Sequence, residues 1–518
     1  MAKFQDQEYL LRGLAVLQAM DYADPSALLS NKPGRTNVIN SRLRLLDVIA
    51  AGLATGSSGD VVAAAFSGRE VYMQQHGPID SSKAKTFVLL AKNETPSIRD
   101  KHAATKLFDA INDPKTEDLF PILLERCKEN MQKRVTSLLK ILREPGFLKF
   151  MQSELHKYQP HIVVGSNQFV INKEFENPGP ILPALVKEYA PKDFEAFWKA
   201  LIQAIEINGA IFSKAKEEKK LREAYETISL IGYSIQYSTF LNQKLLIKSQ
   251  YKERTEKFKR RLSKINVYTR GARYLLEQAD KIRPVKCFWV ENEPSDTRVE
   301  YGPFNPVFKD EVQEILKEMR LRQGEKPSIV PSSSQYESKW KKIITDECGQ
   351  PKKLRAYFHC EVKIMHYMEQ KFMSRNVVKI ATTSSNKTNE RFQGEGYARL
   401  GTVAIGVSKN SCLMCQWSLD RHNDMKFERN YVTSGNHGKP YAKWFNLPGT
   451  EYAEHARLLV EKLVKDALTT SPGKQRNKQR VVSDEHYSSS DDDRRTKESG
   501  EDKITAERYA KTIAQQIR

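Results

Sequence analysis

Apolar residues recur at three- and four-residue spacing through 118–142, 194–211 and 215–247, which predicts helices with one buried stripe. Pro145, Pro178, Pro180, Pro183 and Pro191 punctuate this stretch and mark loops between helices. Residues 1–285 therefore read as an all-α N-terminal region. A connecting segment at 286–334 has another texture: strand-like CFWVE at 287–291, a turn-rich stretch, a helical pattern at 307–321 and the linker-like GEKPSIVPSSSQ at 324–335. Across 335–450 the pattern alternates, with strands at 353–358, 402–408 and 426–433, helices at 359–372 and 412–421, and a polar loop around 382–390. That alternation predicts a mixed α/β domain with parallel neighbours. An amphipathic helix at 451–469 follows, then a Ser-, Asp- and Arg-rich disordered tail at 470–503. A short amphipathic helix at 504–518 ends the chain.

Two short motifs stand out in the alternating part. His359-Cys360-Glu361 follows the apolar LRAYF, and Cys412-Leu413-Met414-Cys415 follows TVAIGVS. Each stands where a strand feeds a helix, and the free N–H groups and dipole of a helix start favour thiolate. Cysteines at i and i+3 share one side of a helix and can grip one Zn2+. His359 makes a third ligand and leaves the fourth position to water, the feature that separates a catalytic zinc from a structural one. Glu361 stands where a carboxylate could take a proton from activated water and return it to a leaving amine. Two blander readings stand beside this one: a closed structural site completed by Cys360, and a redox Cys-x-x-Cys, which leaves the His-x-Glu without a job.

Together FHCEVKIMHY, IGVSKNSCLMCQWSL and SGNHGKPYAKWFNLP resemble the zinc-dependent nucleic acid/nucleotide deaminases, the cytidine-deaminase-like superfamily, with its H-x-E and P-C-x-x-C signature. The likeness is greatest to a poorly characterised branch widespread in fungi, and it spans roughly 335–450. It implies a mixed five-stranded sheet flanked by helices, with both motifs at helix starts. It also implies Zn2+ on His359, Cys412 and Cys415, with Glu361 as proton shuttle in hydrolytic deamination of a nucleobase. The sequence departs from the pattern in two places. Ser411 stands where proline usually precedes the first Cys, and 52 residues (360–411) separate His359 from Cys412, the extra length falling in 382–399. His437 is either a substrate contact or a turn histidine. Trp417 and Trp444 either stack on a base or belong to the core. The alternative function is a catalytically silent deaminase-fold module that binds zinc, joined to a helical scaffold for protein partners.

Charge adds a partner class. The chain carries 84 Lys and Arg against 64 Asp and Glu, a net +20, which points to an anionic partner. Residues 244–286 hold 14 basic and 4 acidic residues, and 331–450 hold 19 and 10, so the two stretches supply nearly all of the excess. In the first, Lys252, Arg254, Lys257, Lys259, Arg260, Arg261 and Lys264 make a candidate anion-binding run with Tyr251, Phe258 and Tyr268 interleaved. The plainer reading is a solvated helix face. Nucleic acid or nucleotide is favoured over a membrane as partner. Six cysteines in 518 residues exclude a disulfide scaffold. Without a signal-peptide pattern or an unbroken apolar span, the expected location is cytoplasmic or nuclear, and KQRNKQR at 474–480 is a weak import pattern.

Overall fold

The computed structural model describes every residue except 1, 25–36, 58, 68–85, 165–167, 177–180, 190, 248, 292–298, 320–333, 347, 371–400, 426–428, 445–449, 470–499 and 518. The polar segment at 382–399, most of the linker expected at 324–335 and most of the tail at 470–503, KQRNKQR included, therefore lie outside the described residues.

Contacts divide the chain into two compact units: Met1–Ala54, Ser58–Thr116 and Gln278–His486 in the first, Thr55–Ser57, Glu117–Glu277 and Tyr487–Arg518 in the second. In chain order the first unit opens with α1 (Ala2–Ala19), α2 (Asn37–Leu53), β1 (Val62–Ser67), β2 (Thr86–Lys92) and α3 (Ile98–Asn112). The second unit follows with α4 (Phe120–Leu142), α5 (Pro145–His156), α6 (Ile171–Glu174), α7 (Ile181–Tyr189), α8 (Phe194–Lys214), α9 (Glu218–Gln236) and most of α10 (Lys252–Ile282). The first unit resumes with β3 (Val285–Trp289), β4 (Val299–Tyr301), α11 (Phe308–Glu318), α12 (Ser334–Ile344) and β5 (Leu354–Ala356). It is completed by α13 (360–370), β6 (Gly401–Val407), α14 (Leu413–Asp424), β7 (Arg429–Thr433) and α15 (Thr450–Thr469), and α16 (Gly500–Ile517) belongs to the second unit.

Five strands of the first unit form one mixed sheet in the order β3-β2-β1-β6-β7. β1 runs antiparallel to both neighbours, with Ala64 opposite Leu90 on one side and Gly406 on the other. β2 and β3 are parallel, as are β6 and β7. Side chains alternate between the faces. Ala63, Ala65, Phe87, Leu89, Ile405 and Val407 join a core with α1, α11, α12, α13, α14 and α15, while α2 packs on β1 and β6 and α3 on β3.

The expected mixed five-stranded sheet flanked by helices is present, but its strands reach far outside 335–450. β1 and β2 come from the first hundred residues, inside the stretch expected to be helical. β1 reads VAAAFS, and alanine favours helices over strands. β2 contains FVLLA, a continuous apolar run with no period to tell a buried strand from a buried helix. The strand expected at 353–358 belongs elsewhere: β5 pairs with β4 in a separate two-stranded sheet. Parallel neighbours need a crossover connection, and between β2 and β3 that connection contains α3 and the main body of the second unit.

The second unit is helical with an aromatic core that includes Phe197, Trp198, Phe212, Tyr225, Phe240, Phe258 and Tyr268. Its C-terminal helix α16 packs on α7 and α8, with Asn208 Nδ2 donating to Gln516 Oε1 at 2.9 Å. The basic run lies on α10. Phe258 and Tyr268, interleaved in the candidate anion-binding run, are core residues, and Tyr251 stacks on Phe150 at 4.2 Å. Arg254 pairs with Glu144 at 2.8 Å and Lys259 donates to Asn242 at 2.7 Å. Lys252 and Lys257 are exposed, while Arg260, Arg261 and Lys264 are half-buried. Among the described residues, no helix is long and apolar enough to cross a membrane.

The far end of β2 is fixed by charge. Lys92 Nζ lies 3.0 Å from both Asp60 and Asp100. Asp100 also closes a capping box at the start of α3: its carboxylate accepts from the Ser97 N–H at 2.8 Å, and Ser97 Oγ accepts from the Asp100 N–H at 3.2 Å. Burial works against the charged form, but the Ser97 bonds and Lys92 outweigh it and hold the Asp100 carboxyl below its usual range. A depressed carboxyl contributes stability above the unfolded pKa of about 3.9 and loses it as pH falls. Asp100→Asn should therefore destabilise the protein by about 1–2 kcal/mol at pH 7. The gap from wild type should narrow below about pH 4 in urea melts; a gap that is constant with pH would contradict this.

Candidate metal centre

The registers place one end of the sheet at the centre of the chemistry. Val62 opposite Lys92, Ala63 opposite Val407 and Ile405 beside Thr433 bring together the start of β1 and the ends of β2, β6 and β7. Ligands in α/β sheets characteristically bind beyond the carboxyl ends of strands.

β6 leads to Ser411 and Cys412, and Cys412 is the N-cap of α14: its sulfur accepts the Cys415 N–H at 3.4 Å. The same residue thus ends the loop, satisfies a free helix donor and presents sulfur to the positive end of the helix. Ser411 explains its departure from proline. Its N–H donates to the Gly435 carbonyl at 3.0 Å, a bond that proline, lacking an N–H, cannot make. The second motif stands opposite, at the start of α13. His359 Nδ1 lies 3.4 Å from Cys412 Sγ, and the Cys412 and Cys415 sulfurs are 3.3 Å apart.

The donor atoms of His359, Cys412 and Cys415 all lie within 4.8 Å of one another, and all three residues are buried. Ligands arranged tetrahedrally around one Zn2+ stand about 3.3–3.8 Å apart, so the spacing and the nitrogen–sulfur chemistry of the set fit such an ion. The electrostatics fit as well. Burial opposes ionisation of Cys412, yet its bond to the Cys415 thiol and the adjacent His359 hold it well below the usual thiol range. Burial likewise disfavours a charged His359, and the Cys412 thiolate outweighs that and raises it. Cys415 is pushed up by burial and by the Cys412 charge. One thiolate is thus ready beside a partner that a metal's charge would have to ionise.

Glu361 is 3% exposed. Burial first, and then the charge on Cys412, raise its carboxyl above the ordinary range. Cys360 Sγ donates to Glu361 Oε2 at 3.3 Å. Cys360 is therefore turned to Glu361, and it falls outside the donor set of His359, Cys412 and Cys415. The closed four-ligand alternative loses its fourth ligand.

Of the two readings of Trp444, base stacking or core, the packing agrees with the core one. The Trp444 ring is fully buried in the core, edge-on to Trp417 at 6.5 Å. The rings beside His359 are Tyr357 at 5.6 Å and Tyr441 at 6.3 Å, and Tyr441 also meets His437 at 5.4 Å. Burial, then the charges of Cys412 and Glu361, raise the Tyr441 hydroxyl, so it stays neutral. Burial lowers His437 and keeps it neutral; its Nδ1 accepts the Lys439 N–H at 3.1 Å, as a turn histidine does. Tyr441 lies in the SGNHGKPYAKWFNLP stretch already singled out, where the indole drew attention instead.

The loop that carries His437 and Tyr441 is braced by α1 and the residues just after it. Gln18 Oε1 accepts the Ala442 N–H at 2.9 Å, Lys439 pairs with Asp21 at 3.0 Å, and the Asp24 N–H donates to the Gly438 carbonyl at 2.9 Å. Gly438 has φ +63°, and a Cβ there would stand 2.6 Å from the Asp24 carbonyl oxygen. Only glycine suits both conditions.

No curated protein and no solved structure matches the chain. Residues 358–448, under a fifth of the 518, match the family model described as "OTT_1508_deam:-like deaminase". That match spans both motifs and the braced loop but not β1, β2 or β3. With His359, Cys412 and Cys415 inside it, the chain carries a deaminase-family domain at 358–448.

Proposed function

We propose that the first unit is a zinc-dependent hydrolytic deaminase acting on a nucleobase in a nucleotide or nucleic acid. The observation that carries this reading is the buried Glu361 carboxyl set beside the His359, Cys412 and Cys415 donors at the starts of two facing helices. Zn2+ held there would polarise water as a Lewis acid. Glu361 accepts a proton from the attacking water and delivers it to the departing amine while the second water proton ends on the ring nitrogen, so an amidine N=C–NH2 becomes HN–C=O and ammonia leaves. The raised carboxyl suits this task, since a group that both takes and returns a proton works best with its pKa near the operating pH. The Tyr441 hydroxyl and ring form one wall for a flat base, and the positive chain charge favours a phosphate-bearing substrate.

The test combines metal analysis of freshly purified full-length protein with an ammonia-release screen against cytidine, adenosine, single-stranded DNA and RNA. One zinc per chain and ammonia from at least one substrate class are expected. Protein that is metal-free and stays so on zinc titration sinks the central claim. Zinc without turnover on any substrate leaves the silent zinc-binding module as the better reading.

A further inference from the structure

We propose that Asn93 is the positioning residue that sets the His359–Glu361 pair, acting from a part of the chain remote in sequence; the proposal rests on reading His359, Cys412 and Cys415 as a metal site. A helix start leaves backbone N–H groups without internal partners, and the residue just before the first turn normally caps one of them with its side chain. In α13 that residue is His359, whose ring is turned to Cys412 at 3.4 Å. It cannot both cap the helix and serve the metal. α14 resolves the same conflict internally, because the Cys412 sulfur accepts the Cys415 N–H. α13 instead borrows its acceptor: Asn93 Oδ1, 267 residues earlier in sequence, takes the Cys360 N–H at 2.9 Å.

The Cys360 peptide lies between His359 and Glu361, so fixing it fixes the directions of both neighbouring side chains. Asn93 is itself immobilised. It is 4% exposed, its N–H donates to the Val61 carbonyl at 3.2 Å, and its Nδ2 reaches the Gly59 carbonyl at 3.5 Å. One turn into α13 a second connection is made in the same sense, with Lys363 Nζ donating to the Lys92 and Asn93 carbonyls at 2.6 and 2.8 Å. The end of β2 and the start of α13 are thus joined by three hydrogen bonds, all donated from α13. Partners that orient metal ligands from behind typically change metal affinity 10–100-fold when removed.

The experiment is a Zn2+ competition titration and a Co2+ absorption spectrum on full-length wild type, Asn93→Ala and Asn93→Asp, with unfolding midpoints recorded in parallel. Asn93→Ala should weaken Zn2+ binding about tenfold or more and shift the Co2+ bands. Asn93→Asp, which keeps an acceptor at the helix start, should restore affinity to within about threefold of wild type and recover the spectrum. An Ala variant that loses stability but binds both metals as wild type does would reduce Asn93 to a structural cap and overturn the proposal. If the Ala variant does not fold, Asn93→Ser replaces it, since serine is too short to reach the Cys360 N–H; unchanged affinity there overturns the proposal equally. Wild type that takes up neither metal would instead bring down the metal reading, and this proposal with it.

Discussion

Glu361→Gln should lower deamination by about 10³–10⁴-fold, the upper part of what a positioned acid–base group contributes, while zinc content stays at one per chain. The substitution keeps the shape of the side chain, and its amide oxygen can still accept the Cys360 thiol, which now points at Glu361 Oε2 at 3.3 Å. Metal retention is expected because the donor set is His359, Cys412 and Cys415. What is lost is the ability to carry a proton. The variant should also melt no lower than wild type. Burial and the nearby Cys412 charge both disfavour an ionised Glu361, so a neutral amide relieves a conflict that only the reaction needs. Loss of turnover with unchanged zinc and an equal or higher melting point separates a catalytic role from a structural one. Full activity in Glu361→Gln removes Glu361 from the mechanism.

The donor set could be read from the sequence because its signal is local. His359, Cys412 and Cys415 stand in two short strings, each at a helix start, and a helix start has chemical requirements of its own. The helices around them were equally legible: α14 begins one residue after its first cysteine and α13 one residue after His359. The other half of the sheet was not legible, because β1 and β2 carry no periodic signal. Their place is set by what packs on them, not by their own residues. Asn93 was invisible for a related reason. Nothing in the sequence shows that the acceptor for Cys360 lies 267 residues away. Tyr441 was missed for a different reason: it shares a loop with Trp444, whose indole carries the stronger stacking signal although it packs in the core.

The family match begins at 358, but the fold that supports it begins with α1. α1 braces the loop bearing Tyr441, β2 leads directly into Asn93, and β3 flanks β2 on its outer side. A fragment covering only 335–450 keeps β6 and β7 and loses three of the five strands. Its exposed β6 edge would be a template for aggregation and not a free-standing domain. The cysteines and histidine alone are therefore not sufficient to make the centre. The strands that order them come from both sides of the inserted helical unit.

The tightest point of that construction is Gly406, and Gly406→Ala should destabilise the first unit by about 3 kcal/mol or more, at the upper end of overpacking costs. Gly406 is the last but one residue of β6 and stands opposite Ala64 of β1. A Cβ there would stand 2.2 Å from the Leu46 carbonyl carbon and 2.3 Å from the Asp47 nitrogen. Both are backbone atoms of α2, so no rotamer change relieves the contact and the helix itself must retreat from the sheet. That retreat would also strain Asp47, whose Oδ1 accepts from the Val407 N–H at 2.7 Å and the Ser434 hydroxyl at 3.1 Å. Val407 ends β6 on the way to Cys412, and Ser434 opens the loop that carries Tyr441. The substitution should therefore weaken zinc binding as well as stability, although Gly406 touches none of the donors. Ala64→Gly, the reciprocal change in the opposing strand, provides a control: it adds no atom and should cost about 1 kcal/mol with metal affinity unchanged. Denaturant melts that place Gly406→Ala within 1 kcal/mol of wild type would show that α2 can yield at this point, and the close approach of helix and sheet would then have no part in holding the centre together.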